Sequence, residues 1–295
     1  MDALSQALET IRLRAEVYFR EDFEPPWGID LEPSEFAQFH LLVRGRARLE
    51  TGGLAIELET GDVVLLAPNT PHRLLSEEGV VPTNGRAILT SIQNGSHRRP
   101  RDTDPQATLI CGHFAYRTAP LHPLVAALPE VLRLTPVERR ERTWLESITQ
   151  SLVDESARKG PGQKALTNRL AECLYIQVVR AYLAREDLPN GLLKGLCDPV
   201  LGRAIALLWS HCDRPWSVQA IASEVAMSRA NFARRFSALI GTPPMEFLSR
   251  SRLHESCVRL VDTNESVTRI AGMVGFASPA SFSRAICEPK NSPVL

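Results

Sequence analysis

No stretch of this chain reaches 18 consecutive apolar residues, so no membrane-spanning helix is expected. No CxxC pair occurs among its six cysteines, Cys111, Cys173, Cys197, Cys212, Cys257 and Cys287. A chain of 295 residues does not need disulfides to fold, so reduced thiols in a cytoplasmic protein are expected. The opening Met1-Asp2-Ala3-Leu4-Ser5 lacks a basic flank followed by an apolar core, so no secretory leader is expected. Net charge is missing too: 34 Lys and Arg balance 34 Asp and Glu, which at face value speaks against nucleic acid. What is present is ordinary apolar material, 44% of residues, enough to exclude disorder along most of the chain. The length predicts about two domains.

Three zones follow one another. Residues from about 15 to 118 are strand-like. Ala55-Ile56-Glu57-Leu58-Glu59 alternates with period two, Val63-Val64-Leu65-Leu66 reads as a buried strand ended by Pro68, and Thr51-Gly52-Gly53 and Thr60-Gly61-Asp62 make turns. This spacing suggests a small barrel or sandwich. The zone from about 121 to 188 is helical, with long segments over Arg139–Arg158 and Lys164–Arg185 split by Gly160-Pro161-Gly162. Leu166, Leu170, Cys173, Leu174, Gln177 and Ala181 form a stripe that either packs on its own domain or makes a dimer surface. A linker at 189–198, with Gly191 and Gly195, separates this 1–188 domain from an all-helical domain at 199–295.

That last zone contains one pattern twice. Val218, Ile221, Ala222 and Val225 mark one helix face at i, i+3, i+4, i+7. Ala226-Met227 turns, Ser228 offers an N-cap oxygen, and Phe232, Phe236 and Leu239 face back onto the first helix. Forty-nine residues on, Val267, Ile270, Ala271 and Val274 repeat the face. There Gly275 turns, Ser278 caps, Pro279 takes the first helical position, and Phe282 and Ile286 are the buried pair. A linking helix with the apolar stripe Leu253, Cys257, Leu260, Val261 joins the two. Two helix-turn-helix units on a rigid helix can enter successive major-groove faces about 34 Å apart. From Asp198 onward eleven Lys or Arg stand against eight Asp or Glu, so the balanced total hides a basic part and an equally acidic remainder.

Trp216-Ser217-Val218, Met227-Ser228-Arg229, Phe232-Ala233-Arg234-Arg235-Phe236, Gly241-Thr242-Pro243-Pro244, Arg252-Leu253, Ile270-Ala271, Val274-Gly275-Phe276 and Phe282-Ser283-Arg284-Ala285 resemble the signature of AraC/XylS-type transcriptional regulators over about 95 residues. The resemblance implies DNA contact from Arg229, Ala230, Ala233, Arg234 and Arg235 in the first recognition helix, and from Pro279, Ala280, Ser283 and Arg284 in the second. Arg suits guanine through two parallel hydrogen bonds, whereas Ala and Pro offer only apolar contact, which shifts weight onto DNA shape. The tail departs from the family: Glu288 replaces a base and Pro289 should stop the last helix, which would weaken the second unit.

His40-Leu41-Leu42-Val43-Arg44-Gly45 and the run Gly61 to His72 resemble the two halves of a cupin motif. Pro26-Trp27-Gly28 and Ile110-Cys111-Gly112-His113-Phe114 resemble the cupin domain of an AraC subgroup that includes a reactive-chlorine-responsive regulator. The whole is therefore expected to be α+β, a cupin-like sensor barrel with a helical extension followed by an all-α DNA-binding domain. Gln38 and Arg44 stand where metal-binding cupins keep a His and an acid. His40, His72, Cys111 and His113 are the candidate effector residues, as barrel-mouth hydrogen-bonding groups, a zinc or copper tetrahedron, or, for Cys111, a redox thiol. The implied partners are promoter DNA, RNA polymerase, a second copy of the chain and a small-molecule or redox effector. A metal-dependent cupin enzyme fused to a DNA-binding module, or a barrel that only dimerises, is the alternative.

Overall fold

The computed structural model describes residues 2–97, 106–116, 122–140, 143–276 and 281–283. The elements in chain order are α1 (Ala3–Ile11), β1 (Arg14–Phe23), β2 (Gly28–Leu31), β3 (Ala37–Thr51), β4 (Leu54–Glu59), β5 (Val63–Leu66), β6 (His72–Leu75), β7 (Thr83–Asn84), α2 (Gly85–Gln93) and β8 (Ala107–Ala115). Then follow α3 (Pro123–Ala126), β9 (Val131–Leu134), α4 (Pro136–Arg140), α5 (Thr143–Ala157), α6 (Gln163–Leu183), α7 (Leu192–Cys197), α8 (Pro199–Ser210), α9 (Val218–Glu224), α10 (Arg229–Ile240), α11 (Pro244–Asp262) and α12 (Val267–Met273). No helix among the described residues is long and apolar enough to cross a membrane.

Two compact units form, and they are not contiguous in sequence. One takes Leu13–Ala115 and Pro129–Tyr182; the other takes Met1–Arg12, Tyr116–Leu128 and Leu183–Leu295. The contiguous division 1–188, 189–198, 199–295 thus misses two exchanges: α1 and the 116–128 segment join the C-terminal unit. The expected linker contains the short helix α7, which buries Leu193 and Gly195.

In the first unit β3 belongs to two sheets. Its first half pairs antiparallel with β8 and β5, its second half with β4 and β6. The bend lies where the β3–β8 register shifts between Leu42 and Arg44 and where Gly45 takes φ +90. A Cβ at Gly45 would lie 1.8 Å from the Gln106 carbonyl oxygen, so only glycine lets the strand turn there. The curled sheet encloses Phe23, Trp27, Leu42, Leu49, Leu58, Val64, Leu66, Leu74, Leu109 and Cys111. β4 alternates as its sequence suggests, and all four residues of β5 are buried.

Helix α6 closes this unit. Tyr175 packs its ring at a tilt against Phe114 at 4.9 Å, and Asn168 and Glu172 accept hydrogen bonds from the β1 amides of Val17 and Ala15 (3.0 and 3.3 Å), which blunts that sheet edge. The stripe expected on α6 splits: Leu174 and Ala181 are buried in the unit's own core, whereas Leu166 and Cys173 face solvent.

In the second unit Leu201, Ala204, Ile205 and Leu208 of α8 pack with Ile221, Ala222, Phe232, Phe236, Phe247 and Leu248. α1 docks on α8 through Ala3, Ala7 and Ile11, one face at four-residue spacing. On α11 the buried face runs through Phe247, Leu248, Ser251 and His254. The expected stripe of Leu253, Cys257, Leu260 and Val261 is instead half-buried to exposed, because α8 and the 122–128 segment meet the helix on its other side.

Candidate functional site

α9 starts at Ser217, whose hydroxyl accepts from the Ala220 amide, and α10 starts at Ser228, whose hydroxyl accepts from the Asn231 amide. Between them Ala226 takes φ +55, a left-handed turn. Phe232 and Phe236, rings 5.5 Å apart, bury one side of α10. Arg229, Ala230, Arg234 and Arg235 are exposed and Ala233 half-buried, so α10 presents three guanidinium groups to solvent, that of Arg235 within an ion pair. Arg234 is steadied by a 3.1 Å bond to the Asn231 side-chain oxygen. Arg235 turns elsewhere: it pairs at 2.5 Å with Asp198, the carboxylate that also caps α8 through the Val200 and Leu201 amides. The sequence marks Asp198 as a helix start, with Asp at the N-cap and Pro199 at the first helical position, but carries no sign of its pairing with Arg235.

The second unit repeats the construction. Ser266 caps α12, Ile270, Ala271 and Val274 are buried, and Gly275 turns with φ +87. Phe282 is buried and Ser283 exposed. Pro279, Ala280, Arg284, the cap Ser278 and the altered tail at 286–295 lie outside the described residues.

In the sheet unit the effector candidates separate. The β3–β8 register sets His40 opposite Cys111. His40 Nδ1 lies 3.0 Å from Cys111 Sγ, His40 Nε2 lies 2.8 Å from His72 Nε2, and His72 Nδ1 lies 3.0 Å from the Thr70 carbonyl. A carbonyl only accepts, so His72 Nδ1 carries the proton. With both rings neutral, His72 Nε2 then accepts from His40 Nε2–H, and His40 Nδ1 accepts from the Cys111 thiol. Burial favours these neutral forms: it pulls His40 well below the usual histidine range, with His72 adding to the effect, lowers His72, and pushes the Cys111 thiol far up. The result is a neutral, fully bonded chain of three side chains.

His113 stands apart. Its ring packs between Phe36 (4.4 Å) and Tyr18 (5.1 Å) and lines a cavity of ≈ 380 Å³ with Arg14 and Asn168. His72 instead borders a cavity of ≈ 490 Å³ with Arg48, Arg73, Asp30 and Glu50. The metal tetrahedron is therefore not assembled. Cys111 and His72 contact opposite nitrogens of one His40 ring, and one ion cannot take both. Among the described residues no group of three His, Cys, Asp or Glu side chains is placed to hold a metal.

Sequence reasoning also passed over His122. It caps α3 by accepting from the Leu124 amide at 3.1 Å, and its ring packs against Trp209 and His254. The pair His122-Pro123 is a helix-start signal that could have marked it.

Comparison with known proteins covers both units. The family model described as Cupin matches residues 2–184, and the model described as Helix-turn-helix domain matches residues 221–288. An uncharacterized HTH-type transcriptional regulator of Haemophilus influenzae is 28% identical over 96% of this chain and 94% of its own. The RCS-specific HTH-type transcriptional activator RclR of Escherichia coli is 30% identical over 84% of this chain and 79% of its own. A Streptomyces antibioticus protein whose name includes the words "AraC-like transcription regulator" is 28% identical over 97% and 94%.

Proposed function

Because this chain belongs to the AraC-like transcriptional regulators with an N-terminal cupin domain, we propose that it is a cytoplasmic, non-enzymatic homodimer that reads promoter DNA under control of a small molecule taken up by the sheet unit. The observation that carries the DNA-reading role is α10, with Arg229 and Arg234 exposed opposite the buried Phe232 and Phe236. Arg234, with Ala230 and Ala233, faces base edges; Arg229 meets phosphate; Ser283, with Pro279, Ala280 and Arg284, reads the second groove segment; Arg235 supports the helix through Asp198. The exposed Leu166 and Cys173 face of α6 suits pairing with a second copy, and RNA polymerase is the partner at the promoter. The cavity beside His72, joined through His40 to Cys111, is the effector site. A buried, protonated thiol favours a small molecule over an oxidant as the signal.

The test uses DNA selected from a random pool by the full-length protein. Arg234→Ala should cost about 1–3 kcal/mol and relax preference at one base pair. Unchanged affinity and preference would remove Arg234 from the base-reading set.

A further inference from the structure

Arg252-Leu253 belongs to the signature that marked this domain, yet the DNA-reading role leaves Arg252 without a task. It sits in the middle of α11. Its Nε donates to the Cys212 carbonyl at 2.7 Å and its Nη2 to the Arg214 carbonyl at 2.6 Å. Both carbonyls lie in the loop that leaves α8, which Trp216 braces through a 2.8 Å bond from its indole to the His211 carbonyl. The turn of the second helix-turn-helix presses on the same place. A Cβ at Gly275 would meet the Asp213 carbonyl oxygen at 2.6 Å and the Arg252 guanidinium at 2.9 and 3.0 Å. Three separate pieces therefore converge on one guanidinium: the loop after α8, the linking helix and the turn between α12 and the second recognition helix. Phe276, next to that turn, carries the contact onward by meeting the Phe282 ring edge-on at 5.2 Å.

Only a planar fork serves here, since it donates in two directions within one plane while a flat face lies against a glycine; a lysine is a point charge on a flexible stem. Only glycine serves opposite it, because φ +87 and the close carbonyl both exclude a side chain. After α11 the chain reaches α12 through Thr263 to Ser266 alone, a short connection that cannot set an angle by itself.

We infer that Arg252 and Gly275 form a staple that fixes the second helix-turn-helix against the first, so that Arg252 is a positioning residue for the spacing of the two DNA segments read. It touches no base itself. The inference rests on the DNA-binding role, and the experiment separates the two.

DNA selected from a random pool by the full-length wild type is compared with versions carrying one base pair more or fewer between the two protected segments. Each insertion turns the second segment by about 34° about the DNA axis. The wild type should lose about tenfold or more in affinity per altered base pair, as for a mismatched site. Arg252→Ala should bind the selected DNA more weakly, and its loss on altered spacing should shrink to less than about threefold. Arg252→Lys keeps the charge without the fork and should shift the same way; Gly275→Ala, which pries at the staple from the other side, should flatten the spacing preference too. Thermal melts identify any variant that fails to fold, and the ratio is then read from the others. A wild-type spacing ratio retained in Arg252→Lys, or a wild type indifferent to spacing, overturns the staple. Failure of the wild type to select any sequence overturns the DNA-binding role instead.

Discussion

Cys111 is held as a thiol by burial between its strand neighbours β1 and β3, with its S–H donating a hydrogen bond to His40 Nδ1. Thiolates, not thiols, attack oxidants, so its place in the fold makes it slow to react. Cys173 and Cys197 are exposed. On brief treatment with a mild oxidant, mass spectrometry should find Cys197, which lies outside the proposed pairing face, modified before Cys111; Cys111 modified first would reverse the preference for a small-molecule signal. The lowered histidines have a second consequence. Burial, aided by His254, pulls His122 down to about 3, and burial also lowers His40 and His72. Below the ordinary histidine pKa near 6.5 the unfolded chain takes up protons that the folded chain refuses, so stability is fully present above that pH and is lost as pH falls through it. Each such residue should contribute a slope of about 1.4 kcal/mol per pH unit. His122→Asn keeps a cap oxygen without the titration, so chemical denaturation between pH 6.5 and 5 should show one slope fewer; equal slopes in the two proteins would refute this reading of His122.

At the scale of elements, β8 is the strand on which most depends. It pairs with both β1 and β3, and Gly112 lies where they crowd it. A Cβ there would sit 2.4 Å from the Glu16 carbonyl oxygen and 2.6 Å from the Phe39 ring. Gly112→Ala should therefore cost about 1–3 kcal/mol by overpacking, measured by thermal melting, and an unchanged midpoint would mean that the strands separate more easily than their packing indicates. The helix-turn-helix pairs were legible in the sequence because their signals are local: four apolar positions within eight residues, a serine cap and a turn residue. The α6 stripe was half legible. Period 3.6 marks an apolar face, but not whether Leu174 and Leu166 are both covered, and only Leu174 is. The His40–Cys111–His72 chain was legible only as candidates. Its geometry depends on a register between strands 71 residues apart in sequence, and no local pattern carries that. Arg235 looked like its neighbour Arg234, and only the placement of Asp198 separates their tasks.

For the molecule as a whole, the balanced charge is a sum of two unlike parts, and so is the fold. The polypeptide passes between the two compact units four times, after residues 12, 115, 128 and 182. Helix α10, which carries Arg229 and Arg234, shares its unit with α1, whose Ala3, Ala7 and Ile11 are buried, and with the segment that holds His122. A fragment beginning at 183 loses those side chains. Burial of an Ile is worth about 1.5–3 kcal/mol, so such a fragment should melt lower than one in which residues 1–12 are restored as a peptide in trans. Identical melting with and without the peptide would show that α1 adds nothing.

Grafting experiments inherit the same constraint. A chimera joined at the middle of the chain would hand the new sensor's first helix to a DNA-binding unit it was never shaped for, and would leave α1 of this protein behind with the discarded half. Exchange of this chain's C-terminal unit therefore calls for a matched set, residues 1–12, 116–128 and 183–295 together, because three separate stretches of the sequence build one compact unit.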